Sequence, residues 1–176
     1  MKYDFSFGAI HEYHGEDEHL VIPDKIEHEK VKCDCGFISM HDIDRVEGIG
    51  VLAFGNQLSL KSVVLPAALR YISNHAFIGC ENLERVTIPE GVTHIGERAF
   101  YDYGKLKSVT IPASVQKIGK KAFGYRTDFF SPQTEGFCIC GTAGSEAERY
   151  AKENGFAFSE AEETNNPLHD TAKGES

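Results

Sequence analysis

LSLKSVVLPAALRYISNHAFIGC, residues 58–80, is followed by ENLERVTIPEGVTHIGERAFYDY at 81–103 and GKLKSVTIPASVQKIGKKAFGYR at 104–126. The three blocks are equal in length and align without a gap. Leu60, Leu83 and Leu106 share a column, as do Val63, Val86 and Val109. Leu65, Ile88 and Ile111 form a third, followed by Pro66, Pro89 and Pro112. Leu69, Val92 and Val115 come next, then Ile72, Ile95 and Ile118. Ala76-Phe77, Ala99-Phe100 and Ala122-Phe123 close the units. Self-similarity at this period marks a solenoid.

One such unit cannot cover its own apolar face, so neighbours must stack on it. In Leu106-Lys-Ser-Val109-Thr-Ile111 the apolar residues Val109 and Ile111 flank Thr110, which is strand periodicity with one buried face. Proline follows. It lacks an N–H and ends the ladder. A second short extended piece, VxxIG, comes next. Gly96 and Gly119 are expected to permit the following bend, with Ser73 in that column of the first block. Each phenylalanine then turns inward. Phe54 lies one full period before Phe77, so a ladder of rings at 54, 77, 100 and 123 is predicted.

The pattern LxxVxIPxxVxxIGxxAF resembles the leucine-rich repeat of the bacterial BspA-like type, over roughly residues 20 to 158. The resemblance implies a mainly β leucine-rich-repeat solenoid of about five rungs with parallel strands. It also implies a protein-binding role, since family members include surface proteins that adhere to other proteins.

The ends are less regular. Residues 3–23 read as a hairpin in which Phe5, Phe7 and Ala9 alternate with polar residues, with a polar turn around Gly15. Tyr3 to Ile10 would cover the first rung as an N-terminal cap, because a bare rung exposes a sheet edge. Leu20-Val21-Ile22-Pro23 opens that rung, which resumes at Val46, Ile49, Gly50 and Ala53-Phe54. The stretch from Pro23 to Phe54 is far longer than that from Pro66 to Phe77 in a regular unit, so an insertion is read at about 27–45. Past Phe123 the period breaks. Phe129 is read into the leucine column, and Phe137-Cys138-Ile139 into the places of Val109-Thr110-Ile111. Ser145 and Glu148 form a capping-box pattern, and Gly155 is a helix stop. Residues 145–154 are therefore predicted to be a short helix with Ala147, Tyr150 and Ala151 on one face. Phe156 and Phe158 should return over the last rung. The domain so described covers 1–158: a cap at 1–22, the interrupted rung at 23–57, three repeats at 58–126, and the last rung and capping helix at 127–158. Residues 159–176 are polar and acidic and are expected to be disordered.

A hydrophobic fraction of 41% suffices for one core. The first residues, MKYDFSFGAI, hold no long apolar run, so they do not read as a secretory signal, and no apolar stretch is long enough to span a membrane. A cytoplasmic location is the expectation, or a surface location if the chain belongs to a longer protein. Net charge is −9, unevenly spread. Block 104–126 carries six bases and no acid, whereas block 81–103 carries five acids and two bases. This asymmetry is a candidate recognition feature. Overall acidity, and lysines without interleaved aromatics, speak against nucleic acid.

The outward columns supply the candidate protein-binding residues: Lys61, Glu84 and Lys107; Ser62, Arg85 and Ser108; Val64, Thr87 and Thr110. Cys138 is read into the last of these. His28, Cys33, Cys35 and His41, in the insertion, form a set zinc would accept, but C-x-C departs from the usual spacing. Val31, Cys33, Cys35 and Phe37 also alternate as the apolar face of a strand, which is the preferred reading. His11, His14, His75 and His94 read as solvated, and Cys80 as a small buried apolar residue. No Gly-rich phosphate loop, H-E-x-x-H or G-x-S-x-G occurs, and no nucleophile, base and orienter assemble. The expected function is a non-enzymatic, cofactor-free, monomeric protein-interaction module. A zinc-binding protein or a structural spacer on the same scaffold is the alternative.

Overall fold

The computed structural model describes residues 2–26, 45–128 and 133–161. The chain winds as a succession of short strands that fall into two six-stranded sheets. The first sheet contains β1 (Tyr3–Ser6), β2 (Ala9–Tyr13), β4 (Gly48–Ile49), β6 (Tyr71–Ile72), β8 (His94–Ile95) and β10 (Lys117–Ile118), in that order. The second contains β3 (His19–Val21), β5 (Ser62–Val64), β7 (Arg85–Thr87), β9 (Ser108–Ile111), β11 (Cys138–Gly141) and β12 (Ala157–Glu160). Among the described residues every strand pairing in these sheets is parallel except that of β1 with β2. This is the leucine-rich-repeat solenoid expected from the tandem blocks. The helix α1 spans Glu146–Asn154.

Register follows the repeat. Val63 pairs with Val86 and Leu20, and Ile72 pairs with Ile49 and Ile95. The rings of Phe54, Phe77, Phe100 and Phe123 are fully buried and stacked, with centroids 4.8, 4.9 and 4.9 Å apart and planes within 13° of parallel. Their separation equals the spacing of hydrogen-bonded strands, so the backbone ladder sets the ring ladder. The phenylalanine N–H groups climb with it: Phe54 donates to Ala76, Phe77 to Ala99 and Phe100 to Ala122.

The bends differ from expectation in one respect. Gly96 and Gly119 do not supply the positive φ. That role falls to Leu52, His75, Arg98 and Lys121, at φ 51–61° and one repeat apart. The glycines are needed for close approach. A Cβ on Gly96 would lie 2.4 Å from the Asn74 nitrogen, and one on Gly119 would lie 2.3 Å from the Glu97 nitrogen. Adjacent rungs touch backbone to backbone there.

The N-terminal hairpin exists, but it turns at Phe7-Gly8 and not at Gly15. Both residues have positive φ, and Phe7 is 83% exposed at the tip, not on the buried face. β2 therefore belongs to the stack. Ile10 pairs with Ile49, and the buried Tyr13 ring lies 5.1 Å from Phe54, which extends the ladder by one ring. Tyr3 closes over Tyr13 at 5.4 Å.

At the other end α1 packs on β10 and β11. Ala147, Tyr150 and Ala151 are its buried residues, and Gly155 at φ 70° is its stop. The expected capping box does not form, and Glu148 instead reaches the residue before the N-cap. Gly144 N–H donates to the Glu148 carboxylate at 2.6 Å, while the Ser145 hydroxyl donates to the Thr142 carbonyl instead of accepting from the helix. Phe156 packs against Phe137, Tyr125 and Tyr150. β12 runs on through Ser159 and Glu160, past the point where order was expected to end.

Candidate protein-binding face

Two columns of side chains stand outward on the second sheet. Strand alternation puts the apolar central residue of each strand inward and its two neighbours outward. In-register pairing then lines up His19, Ser62 and Arg85. Beyond them in the same column, β9 and β11 bring Ser108 beside Cys138. The parallel column is Val21, Val64, Thr87, Thr110 and Cys140. Six of the nine residues singled out from sequence thus fall on this sheet: Ser62, Val64, Arg85, Thr87, Ser108 and Thr110. Lys61, Glu84 and Lys107 immediately precede β5, β7 and β9 and flank its edge.

One assignment is displaced. Cys140, not Cys138, occupies the column of Thr110, and Ile139, not Phe137, that of Val109. Phe137 lies buried beside Tyr103, with ring centroids 5.7 Å apart. The loop ahead of β11 breaks the regular count, so counting from it misplaced the strand by one full alternation. His19 and Val21 extend these columns by one strand. The match of LVIP to the repeat's VxIP places this strand in the first rung, but the candidate residues come from the three regular blocks alone.

The face is chemically graded. At its N-terminal end Val21 is 67% exposed and lies beside the exposed Val64. His19 Nδ1 meets the Ser62 hydroxyl at 2.8 Å. Lys61 binds Glu18 at 2.7 Å, which holds the Glu18 carboxyl below its ordinary range and raises the lysine. Farther along, Glu84, Arg85, Gly104, Lys105 and Lys107 line a shallow depression of about 580 Å³. Arg85, Lys105 and Lys107 make no ion pair with any described residue.

The thiols divide by environment. Cys80 is fully buried, its Sγ 3.2 Å from the Phe54 carbonyl, and burial pushes its thiol up to about 12. Cys138 and Cys140 are half-buried neighbours on one face of β11. Burial, then the adjacent Cys138, raises Cys140. His28, Cys33, Cys35 and His41 lie outside the described residues. His94 is exposed, as its column suggested, whereas His75 is half-buried. Among the described residues no helix is long and apolar enough to cross a membrane.

An array of identically registered parallel strands, closed at both ends and presenting an open face, defines a leucine-rich repeat solenoid. The sequence matches the BspA type leucine-rich repeat region, in six copies, across residues 21–131. The chain belongs to that family. Its fold is similar to a leucine-rich repeat protein from Bacteroides capillosus, 22% identical with a TM-score of 0.58, covering 80% of this chain and 93% of that one. It is also similar to a leucine-rich repeat protein of T. pallidum, 24% identical with a TM-score of 0.51, covering 78% and 67% respectively. No curated protein matches the chain. Family membership points to the class of protein-interaction or adhesion-like modules.

Proposed function

We propose that the outward face of the β12-β11-β9-β7-β5-β3 sheet binds another protein, and that the molecule acts as a monomeric, non-enzymatic recognition module. The supporting observation is the gradation along that face. An exposed valine pair, Val21 and Val64, stands at one end, and Arg85, Lys105 and Lys107 stand free of ion pairs with described residues farther along. Exposed apolar side chains beside unneutralised charge suit a partner with an apolar contact and an acidic rim. Rim charges chiefly steer encounter, so binding should weaken as salt rises.

The test uses affinity capture from the source cells, with mass spectrometry to identify the partner and titration to measure it. Arg85→Glu with Lys107→Glu should weaken capture of that partner at least tenfold. Lys117→Glu, on the other sheet, should not. Equal retention by both variants removes this face from consideration.

A further inference from the structure

The N-terminal hairpin gathers three metal-ligating side chains that recognition by the second sheet does not use. Asp4 on β1 and Glu12 on β2 are direct cross-strand partners, one step before a register shift between Asp4 and Phe5. His14 follows β2 and turns back over them. Its Nε2 is 3.2 Å from Asp4 Oδ1 and its Nδ1 is 3.9 Å from Glu12 Oε1. One ligand atom from each of the three residues lies within 4.8 Å of the other two. The backbone holds this arrangement, since His14 N–H donates to the Lys2 carbonyl at 2.8 Å.

Like charges directly opposite on paired strands destabilise the pair. Here nothing permanent offsets them. Neither carboxylate meets a lysine or arginine among the described residues, and the hairpin's own Lys2 is taken up by Asp17 at 2.9 Å. The neighbouring His11 is turned away, its Nε2 2.9 Å from the Ser6 hydroxyl. What remains is one imidazole and two carboxylates on an open surface, with space for water ligands.

We propose that Asp4, Glu12 and His14 form a binding site for a divalent transition cation, with zinc as the reference ion. Zinc takes imidazole nitrogen and carboxylate oxygen at about 2.0–2.2 Å, and to reach that distance the His14 ring must turn so that one of its nitrogens faces both carboxylates, which now meet different nitrogens. Three protein ligands with water in the fourth position make a site that exchanges readily. The cation joins β1 to the end of β2, so it fastens the cap that carries Tyr13 onto Phe54. Magnesium, which prefers oxygen ligands and keeps its waters, should compete poorly.

The experiment titrates ZnCl₂ into the full chain and follows the histidine ring nitrogens by NMR, which separates this site from other donors in the chain. Zinc should move the His14 ring resonances and leave those of His11 in place. Asp4→Asn and His14→Gln should each weaken this response or the matching calorimetric step at least tenfold, whereas His11→Gln should not. A stability arm guards against misfolded variants. Without metal, Asp4→Asn should unfold no earlier than the parent, because it removes the like-charge pair. With zinc it should unfold earlier than the parent. Unmoved His14 resonances, or equal zinc affinity in the parent and both variants, overturns the site and leaves only an imidazole bridging two acids. Neither result bears on the protein-binding face.

Discussion

The two ends of the coil finish the same ring ladder in different ways. At the N-terminal end Tyr13 lies flat on Phe54, and its hydroxyl donates to the half-buried Asp17 carboxylate. At the C-terminal end Tyr150 meets Phe123 edge-on at 86°, and its hydroxyl serves the backbone. It accepts from Phe123 N–H at 3.0 Å and donates to the Phe123 carbonyl at 2.9 Å. Those are the groups of the last ring in the ladder, and the N–H has no next alanine carbonyl to reach. Glu146 performs the same service for the edge of β10, accepting from Ile118 N–H at 3.0 Å. In the phenylalanine column every bond runs toward the C-terminal end, so the open N–H falls there, where the cap is a helix offering side-chain oxygens, while the other cap is a strand and a flat ring. The first sheet is closed at its start by β1, whereas β3 ends the second with no further strand among the described residues.

Both closures sit on one continuous core, which Phe100→Ala should break. Its loss is expected to cost about 3–5 kcal/mol, against about 0.5 kcal/mol or less for Lys107→Ala, read from urea unfolding midpoints. Next in size, Tyr150→Phe should cost about 1–3 kcal/mol because it strands buried backbone groups. Tyr13→Phe should cost less, since Asp17 turns to water. Equal costs would erase the distinction between the caps.

Alkali should act on both ends. Burial, reinforced by Asp17, pushes Tyr13 up to about 12, and burial raises Tyr150 further. Folded values above unfolded ones mean a contribution complete below the ordinary tyrosine range that disappears as pH climbs through the folded values. Phenolate absorbance should show late-titrating tyrosines, and Tyr13→Phe should remove one of them. The smallest expected effect is in acid. Arg149, with help from Ile118 N–H, holds the Glu146 carboxyl below its ordinary range. Its contribution is present above that range and lost as pH falls through the depressed value, so Glu146→Gln should flatten the acid limb of a stability profile without abolishing it.

Legibility in the sequence tracked periodicity. Phe77, Phe100 and Phe123, and the columns of Val63 and Ile72, could be placed because each is repeated and a repeated residue has a repeated environment. The hairpin turn could not, because Gly8 and Gly15 both suit a bend and only the seating of Ile10 beside Ile49 decides between them. The positive-φ column hid for a related reason. Leu52, His75, Arg98 and Lys121 share a backbone conformation, but none is a glycine, the residue type that marks a positive φ, so alignment by residue type passes over it. Cys140 was misplaced because strand position there follows a loop and not the count. On the candidate face, Arg85 and Thr87 were readable as outward, but the exposed valine at 21 and the freedom of Lys105 from ion pairs with described residues depend on contacts across rungs.

Ser62 faces Arg85 and Val64 faces Thr87, each partner standing one whole block further along the chain. Excising a complete block, such as 81–103, should therefore yield a shorter but intact molecule whose terminal lids still mate with what lies beneath them. A deletion that falls short of a block by a single residue would throw every later layer out of phase. Length in this architecture is quantised, and a genome can lengthen or shorten the recognition surface in steps without redesigning either closure.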